Sequence, residues 1–289
     1  MSIFVTGATG ALGSLVIQHL LRTVPGDQIT AVVRHVEKAS SLTALGVEVR
    51  HGDYADPASL EKAFAGADKL LFISSPDTDD TLRIVHHANV VKAARDAGVG
   101  HLFYTSFAFA EESAIPLRHV HLATEHMIRT TNLPYTFLRN SLYTEVFVNP
   151  GLAASLPHGA LVTNTGSGRL NTAFRSDLAA AAAAVLTGEG HENKTYNLVS
   201  DTAWSYDELA SLIAGITGKP FVHQAVSYEE QANMLRSAGL PEPVVQLVAG
   251  INQAVAEGET SRTSGDLRNL IGELTPLRTA VEDILKGSV

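Results

Sequence analysis

The first half of the chain alternates short runs of β-branched and apolar residues with longer stretches whose apolar positions recur at helical spacing. That alternation predicts βα units feeding a parallel sheet. Six strands are expected there: Ser2 to Thr6, Gln28 to Arg34, Val47 to Arg50, Lys69 to Ser74, His101 to Thr105 and Tyr135 to Arg139. The spacing predicts helices over Ala11 to Thr23, Val36 to Leu45, Asp79 to Ala97 and Leu117 to Thr131. Another opens at Asp56-Pro57, where aspartate caps and proline takes the first turn. Between Asp79 and Ala97 the residues Leu82, Val85, Ala88, Val91 and Ala94 keep close to a helical period, and Gly98 stops it.

The second half is less regular. Pro150 to Arg169 is rich in glycine, serine, asparagine and proline around a short predicted strand, Ala160 to Val162, and reads as a departure from the sheet. Ser176 to Leu186 returns as a helix whose alanine run, Ala179 to Ala184, is small enough to sit close to a neighbour, so it reads as packing rather than disorder. Thr195 to Val199 is expected as a further parallel strand. From Trp204 on come a helix capped at Ser205 with Glu208 three residues later, a strand near Phe221 to Val226, and two or three helices. The expected fold class is α/β, with a doubly wound parallel Rossmann sheet in residues 1–150, rejoined by 172–200. A smaller C-terminal α/β lobe, from 151–171 and 201–289, is expected to serve as lid or substrate-binding part.

Where the first strand runs into the first helix, glycines stand three apart at Gly7, Gly10 and Gly13. Gly7 allows the tight turn, Gly10 lets backbone N–H groups approach a pyrophosphate, and Gly13 lets the helix pack on the strand, while the helix N-terminus favours the anion. A glycine triplet alone is weak, but here it stands between a strand and a helix with several βα units behind it. Composition narrows the chemistry. The absence of cysteine excludes disulfides, thiolate zinc sites, iron–sulfur clusters and cysteine nucleophiles. A net charge of -9 without a basic patch argues against nucleic acid as a partner. No run of about 18 apolar residues suggests a membrane span, and Ser2 to Thr6 leads straight into glycines instead of a secretory signal, so the cytoplasm is the expected compartment. A second copy of the chain is the one protein partner left open.

The end of the second strand decides the dinucleotide. An NAD site places a carboxylate there to accept from the ribose and repel a 2'-phosphate. This strand ends Ala31-Val32-Val33-Arg34, with Lys38 one helical turn on, so Arg34 is expected to pair with the extra phosphate of NADP(H) and Lys38 to add charge. The alternative is a solvated surface arginine. Asp53, after the third strand, is placed beside the adenine, with a plain turn aspartate as the alternative.

Short-chain dehydrogenases that protonate a carbonyl use a Tyr-x-x-x-Lys pair on the helix after the fifth strand. No tyrosine here has a lysine four residues later; Tyr135 has Arg139, but within a strand. The expected helix offers His121 and Glu125, one turn apart on one face, so Glu125 is expected to orient His121 as a proton relay, with simple solvation as the alternative. The cluster His119, His121, Glu125 and His126 invites a metal reading, which the differing faces of 119 and 121 set aside; His86-His87 is weaker still.

Together these residues resemble the NmrA-like branch of atypical short-chain dehydrogenases. The resemblance is carried by Thr6-Gly7-Ala8-Thr9-Gly10-Ala11-Leu12-Gly13, Val33-Arg34, His51-Gly52-Asp53-Tyr54, Tyr104-Thr105-Ser106 and Tyr135 to Asn140. Longer runs, Ala88 to Gly98, Phe109 to Ser113 and Gly190 to Val199, are similar to the group of that branch that reduces triphenylmethane dyes and, more distantly, to its type 2 quinone oxidoreductases. The likeness extends over essentially the whole chain.

That resemblance implies direct hydride transfer from NADPH to a flat, electron-poor acceptor, without bound flavin or metal. It also accounts for the missing Tyr-x-x-x-Lys pair, because a dye that is already a carbocation takes hydride without a proton, whereas a quinone needs one as well. By position it assigns Gly7, Thr9, Gly10, Ala11, Leu12, Arg34, Ile73, Ser74, Ser75, Thr105, Ser106 and Asn140 to the cofactor. Asn140 to Tyr143 are set against the nicotinamide, so Asn140, Tyr143 and His121 are the catalytic candidates. Tyr104, Phe107, Tyr143, Phe147 and Trp204 are the candidate aromatic surface for a small aromatic substrate. The chain departs from the dye-reducing group at Ser75 to Thr78, Ser106-Phe107, around Ser141, and at Val146 to Pro150. Two other readings stay open: an NADP(H)-binding redox sensor without turnover, and a carbonyl or enone reductase using His121 or Tyr143 as acid.

Overall fold

A computed structural model describes residues 1–286. The first half runs β1 (Ile3–Thr6), α1 (Ala11–Leu20), β2 (Ile29–Val33), a 3₁₀ turn leading into α2 (Ser40–Thr43), β3 (Glu48–His51), α3 (Pro57–Ala63), β4 (Lys69–Phe72), α4 (Asp80–Asp96), β5 (His101–Phe107), α5 (Arg118–Arg129) and β6 (Tyr135–Asn140). Then come β7 (Leu142–Tyr143), α6 (Thr144–Phe147), α7 (Pro150–Ser155), β8 (Ala160–Thr163), β9 (Arg169–Leu170), β10 (Thr172–Ala173), α8 (Arg175–Thr187) and β11 (Lys194–Leu198). The chain ends with β12 (Trp204–Ser205), α9 (Tyr206–Thr217), β13 (Val222–Ala225), α10 (Tyr228–Ser237), α11 (Glu242–Ala256), α12 (Asp266–Ile271) and α13 (Leu277–Lys286).

Seven strands make one sheet in the order β11-β6-β5-β4-β1-β2-β3, every neighbouring pair parallel. This is the doubly wound arrangement expected, and its order reverses between β1 and β4, where such sheets open a crevice at the strands' C-terminal ends. Both faces are covered, so alternation along a strand sorts residues between two apolar layers instead of between core and solvent. Ile3, Val5, Ala31, Leu71, Phe103 and Leu138 face the α1 and α8 side. Phe4, Val32, Leu70, Phe72, Leu102, Tyr104 and Phe137 face the α3, α4 and α5 side.

The predicted helix signals do their local work. Asp56 accepts from the Ala58 and Ser59 amides with Pro57 in the first turn, and Ser205 with Glu208 forms a capping box. Within the alanine run, Ala179 and Ala181 to Ala183 are buried in the layer that α8 shares with α1. Predicted strands and helices were long by one to three residues at several ends, as where Ala11 to Thr23 stops at Leu20. Two features went unread. The stretch after Asn149 is helical, Asn149 capping Gly151 ahead of Pro150, and α12, expected in the lobe, packs back on the Rossmann body through Leu267, Leu270 and Ile271. A third apolar cluster, apart from the two sheet layers, is built around Leu152, Trp204, Tyr206, Leu209, Ile213 and Val281. Among the described residues no helix is long and apolar enough to cross a membrane.

The β1–α1 turn is tightly packed. Gly7 sits at φ +59°, and a Cβ on Gly13 would stand 2.3 Å from the Gly7 carbonyl oxygen and 2.9 Å from the Ala8 Cα. Both neighbours are backbone, so neither can swing aside. Gly13→Ala is therefore expected to destabilise the protein by about 1–3 kcal/mol in urea melts, against a helix-propensity gain of about 1 kcal/mol. A variant as stable as the parent would show that α1 has room to retreat.

Candidate functional site

At the reversal point the C-terminal ends of β1, β2 and β4 enclose a cleft of about 570 Å³. Gly7, Thr9, Gly10, Ala11 and Leu12 form one wall, Arg34, Lys38 and Asp53 another, and Ile73, Ser74 and Ser75 a third, so these sequence-assigned residues meet in one place. α1 opens on Gly10, which has no side chain to cap it. The amides of its first turn and the positive end of its dipole are left for a ligand. Arg34 and Lys38 are exposed, and among the described residues neither side chain is hydrogen-bonded or ion-paired; the nearby Glu37 is turned to His35 at 3.3 Å. Asp53 lines the cleft while its Oδ1 accepts from the Ala55 amide at 2.9 Å, so it is a turn aspartate as well.

The third wall is held by side chains from three other elements. As β4 ends, the Ile73 amide donates to Thr6 Oγ1 at 3.0 Å, the Ser74 amide to Thr105 Oγ1 at 2.9 Å, and the Ser75 amide to His87 Nε2 at 2.9 Å. An accepting Nε2 fixes the neutral tautomer of His87, whose Nδ1–H donates to Thr124 Oγ1 at 2.7 Å. Burial, helped by the Arg83 charge, pushes the His87 pKa down to about 3. Thr105, assigned to the cofactor by resemblance, thus touches the wall's backbone and is not itself part of the cleft lining. Tyr54, Asp77 and His86 line the cleft as well, although none of them was assigned to the cofactor. The Ser75 hydroxyl, with His86 beside it, holds the Asp77 carboxyl below its ordinary range.

The helix expected to carry the acid–base pair does something else. His121 and Glu125 share a face of α5, as their spacing required, but they do not pair. His121 Nδ1 meets the Tyr104 hydroxyl at 2.9 Å and its ring lies near-parallel to Phe107; burial takes its pKa down to about 3. Glu125, fully buried, accepts from Arg139 Nε at 2.8 Å, from a second Arg139 nitrogen at 2.7 Å and from the Ser106 hydroxyl at 2.6 Å. Arg139 also holds Glu111, at 2.6 Å. The relay reading of His121 is therefore corrected, because Glu125 is saturated by Arg139. Ser106, assigned to the cofactor by resemblance, does not line the cleft, and its hydroxyl donates to Glu125. Among the described residues no three histidines or carboxylates converge as for a metal, and His119 and His126 are exposed.

At the ends of β5 and β6 lies a second, small cavity of about 30 Å³, bounded by Phe107, Phe109, Ile115, Ser141, Leu142, Glu259 and Arg262 among others. Phe107 is where an aromatic surface was expected. Asn140 and Tyr143 flank its wall and are linked to each other, side chain to hydroxyl. Burial pushes the Tyr143 phenol up, so it is protonated at neutral pH, and the Arg175 guanidinium stands 4.6 Å over its ring. The other aromatics do not join them. Tyr104 is fully buried between the sheet and α5. Phe147 and Trp204 belong to the third apolar cluster, Trp204 donating from Nε1 to Thr172 Oγ1 at 3.0 Å. Glu259 and Arg262 lie in an irregular stretch that no periodicity marks.

The profile of the NmrA-like family matches residues 1–263. Quinone oxidoreductase 2 of Escherichia coli K12 is 40% identical over 282 residues, covering 98% of this chain and 97% of its own. The crystal structure of Citrobacter sp. triphenylmethane reductase complexed with NADP(H) is similar at 64% identity and a TM-score of 0.96, over 98% of this chain and 100% of that one. The NADPH complex of the E. coli NADPH-dependent quinone oxidoreductase is similar at 39% identity and a TM-score of 0.93, over 98% and 99%.

His87 and His121 are neutral in the fold at about 3, against about 6.5 when unfolded. Their contribution to stability is complete above pH 6.5 and is lost as pH falls from there toward 3. Between pH 6 and 5 each is expected to cost up to about 1.4 kcal/mol per pH unit. In urea melts His121→Gln should lose one histidine's share of that slope; a variant with the parent's slope would place the imidazole's titration elsewhere.

Proposed function

The chain belongs to the NmrA-like family, and on that premise we propose that it is an NADPH-dependent reductase passing hydride to a planar, electron-poor acceptor, a triphenylmethane dye or a quinone. The observation that carries the cofactor half is the pair Arg34 and Lys38, two cations without partners where β2 ends, facing a cleft whose helix N-terminus is uncapped. A polyphosphate fits that donor set. The first-turn amides of α1 would hold its pyrophosphate, and Arg34 with Lys38 would hold a 2'-phosphate, where a carboxylate would repel it. When bound, NADPH supplies a hydride at its nicotinamide.

The chain's own part is positioning. Thr6, Thr105 and His87 fix the Ile73 to Ser75 backbone, so the cleft's third wall cannot shift without breaking a buried hydrogen bond. Phe107, Leu142 and Ile115 offer apolar surface that excludes water. A carbocation dye asks for no proton, which suits a helix whose His121 and Glu125 are both committed inside the protein. For a quinone the protonated Tyr143, held by Asn140, is the donor assigned by this reading. The acceptor is then a small aromatic molecule and the cytoplasm, the source of NADPH, its compartment.

The test is loss of NADPH absorbance with purified protein against menadione, malachite green and a simple aldehyde. Turnover of at least one of the first two is expected, with little of the third. NADPH binding without any turnover would defeat the reductase reading and leave a nucleotide sensor. In the same assay Arg34→Ala is expected to weaken NADPH roughly 10- to 100-fold, the range of one charge-assisted hydrogen bond, and NADH far less. Equal weakening of the two would remove Arg34 from the phosphate site.

A further inference from the structure

Glu259 faces the small cavity at the ends of β5 and β6, and its Oε2 is shut off from solvent with no hydrogen-bond partner. A carboxylate oxygen taken out of water and left unpaired is costly, so an ordered water or a donor or cationic group that enters the cavity is stabilised there. The obvious internal candidate is already engaged. Arg262 bounds the same cavity, but its guanidinium is ion-paired with Glu112 and lies 5.7 Å from the centroid of the Phe109 ring. Arg262 and Glu112 cancel, and Glu259 leaves the cavity one negative charge in excess. The rest of the wall combines apolar Phe107, Ile115 and Leu142 with the uncharged polar Ser113, Ser141, Asn171 and Thr260, so no second charge balances it.

At about 30 Å³ the cavity takes one end of a molecule and not a whole ring system. Two of its lining residues, Ser141 and Leu142, stand in the chain between Asn140 and Tyr143, the residues set against the nicotinamide by the reductase reading. We propose that Glu259 is a specificity-determining residue that receives the positively charged end of the acceptor, so that the enzyme selects cationic planar acceptors over anionic ones of the same shape. The inference rests on the reductase reading above. Glu259 forms no covalent bond with the acceptor. Hydride addition removes the acceptor's charge only as the C–H bond forms, so a transition state that keeps most of that charge is held as the substrate is, and the carboxylate's effect falls on KM more than on kcat.

The experiment compares malachite green (cation), 1,2-naphthoquinone (neutral) and 1,2-naphthoquinone-4-sulfonate (anion) with the parent protein, Glu259→Gln and Glu259→Asp. For the parent, kcat/KM for the sulfonate is expected to be at least about tenfold below that for the neutral quinone. Glu259→Gln should lower the cation-to-neutral ratio about tenfold, chiefly through KM, and raise the anion-to-neutral ratio. Glu259→Asp, which keeps the charge, should preserve the parent's order. Unchanged ratios in Glu259→Gln overturn the proposal. So does a parent that takes both quinones equally well, which needs no variant to fold. If none of the acceptors is reduced, the reductase reading falls, and malachite green binding, followed by its absorbance shift, decides on Glu259 alone: weaker binding by Glu259→Gln supports the proposal and equal binding overturns it.

Discussion

Three consecutive amides, those of Ile73, Ser74 and Ser75, leave the sheet where β4 ends, and the centre of the molecule is arranged to receive them. In a strand they would donate to a neighbour; past the strand end, buried, each needs a partner or costs about 1–3 kcal/mol. Thr6 from β1, Thr105 from β5 and His87 from α4 supply one each. The bonds are short-range, but the elements that make them are far apart in the chain. The cleft wall is thereby tied to the sheet on both sides and to the helix layer behind it. His87 can serve only while neutral, which is why its burial matters as much as its position.

The same logic holds on the other side of β5. Arg139 on β6 and Glu125 on α5 are buried together, with the Ser106 hydroxyl and Glu111 filling the remaining valences. A pair enclosed in this way adds little net stability over an apolar replacement, but removing one partner strands the other at about 3–5 kcal/mol. Its structural consequence is local. Arg139 reaches from the sheet to Glu111, and the Phe109 amide donates to Asn197 Oδ1, so the segment after β5 that walls the small cavity is pinned at two points.

Much of this architecture was legible in the chain. Strand-and-helix alternation predicted a doubly wound sheet, and the glycine-spaced turn and the Val33-Arg34 strand end, picked out separately in the chain, prove to line one cleft. What periodicity cannot carry is which neighbour a side chain chooses. His121 and Glu125 do share a face, yet one turned to Tyr104 and the other to Arg139, a residue fourteen positions on in a strand. The aromatics failed for a related reason. β5 is buried along its whole length, on both faces, so nothing in its pattern separates Tyr104, which faces α5, from Phe107, which reaches the cavity. Glu259 stands in an irregular segment more than a hundred residues from the strand ends it approaches, and its role depends on that approach alone.

Residue type turned out to be a poorer guide to ligand-facing groups than the presence of an internal partner. Histidine and glutamate on the helix after β5 have the look of catalytic groups, but Glu125 is saturated by Arg139 and Ser106, and His121 is buried with its Nδ1 on the Tyr104 hydroxyl, so neither can serve a ligand as the relay pair their spacing suggested. Arg34 and Lys38 look like surface cations and Glu259 like a loop carboxylate. Among the described residues these three lack the partner that their charge asks for, two around the cleft where a polyanion fits and one in the small cavity beyond. A fold that satisfies nearly every buried polar group internally leaves its remaining charges as the most economical description of what it binds.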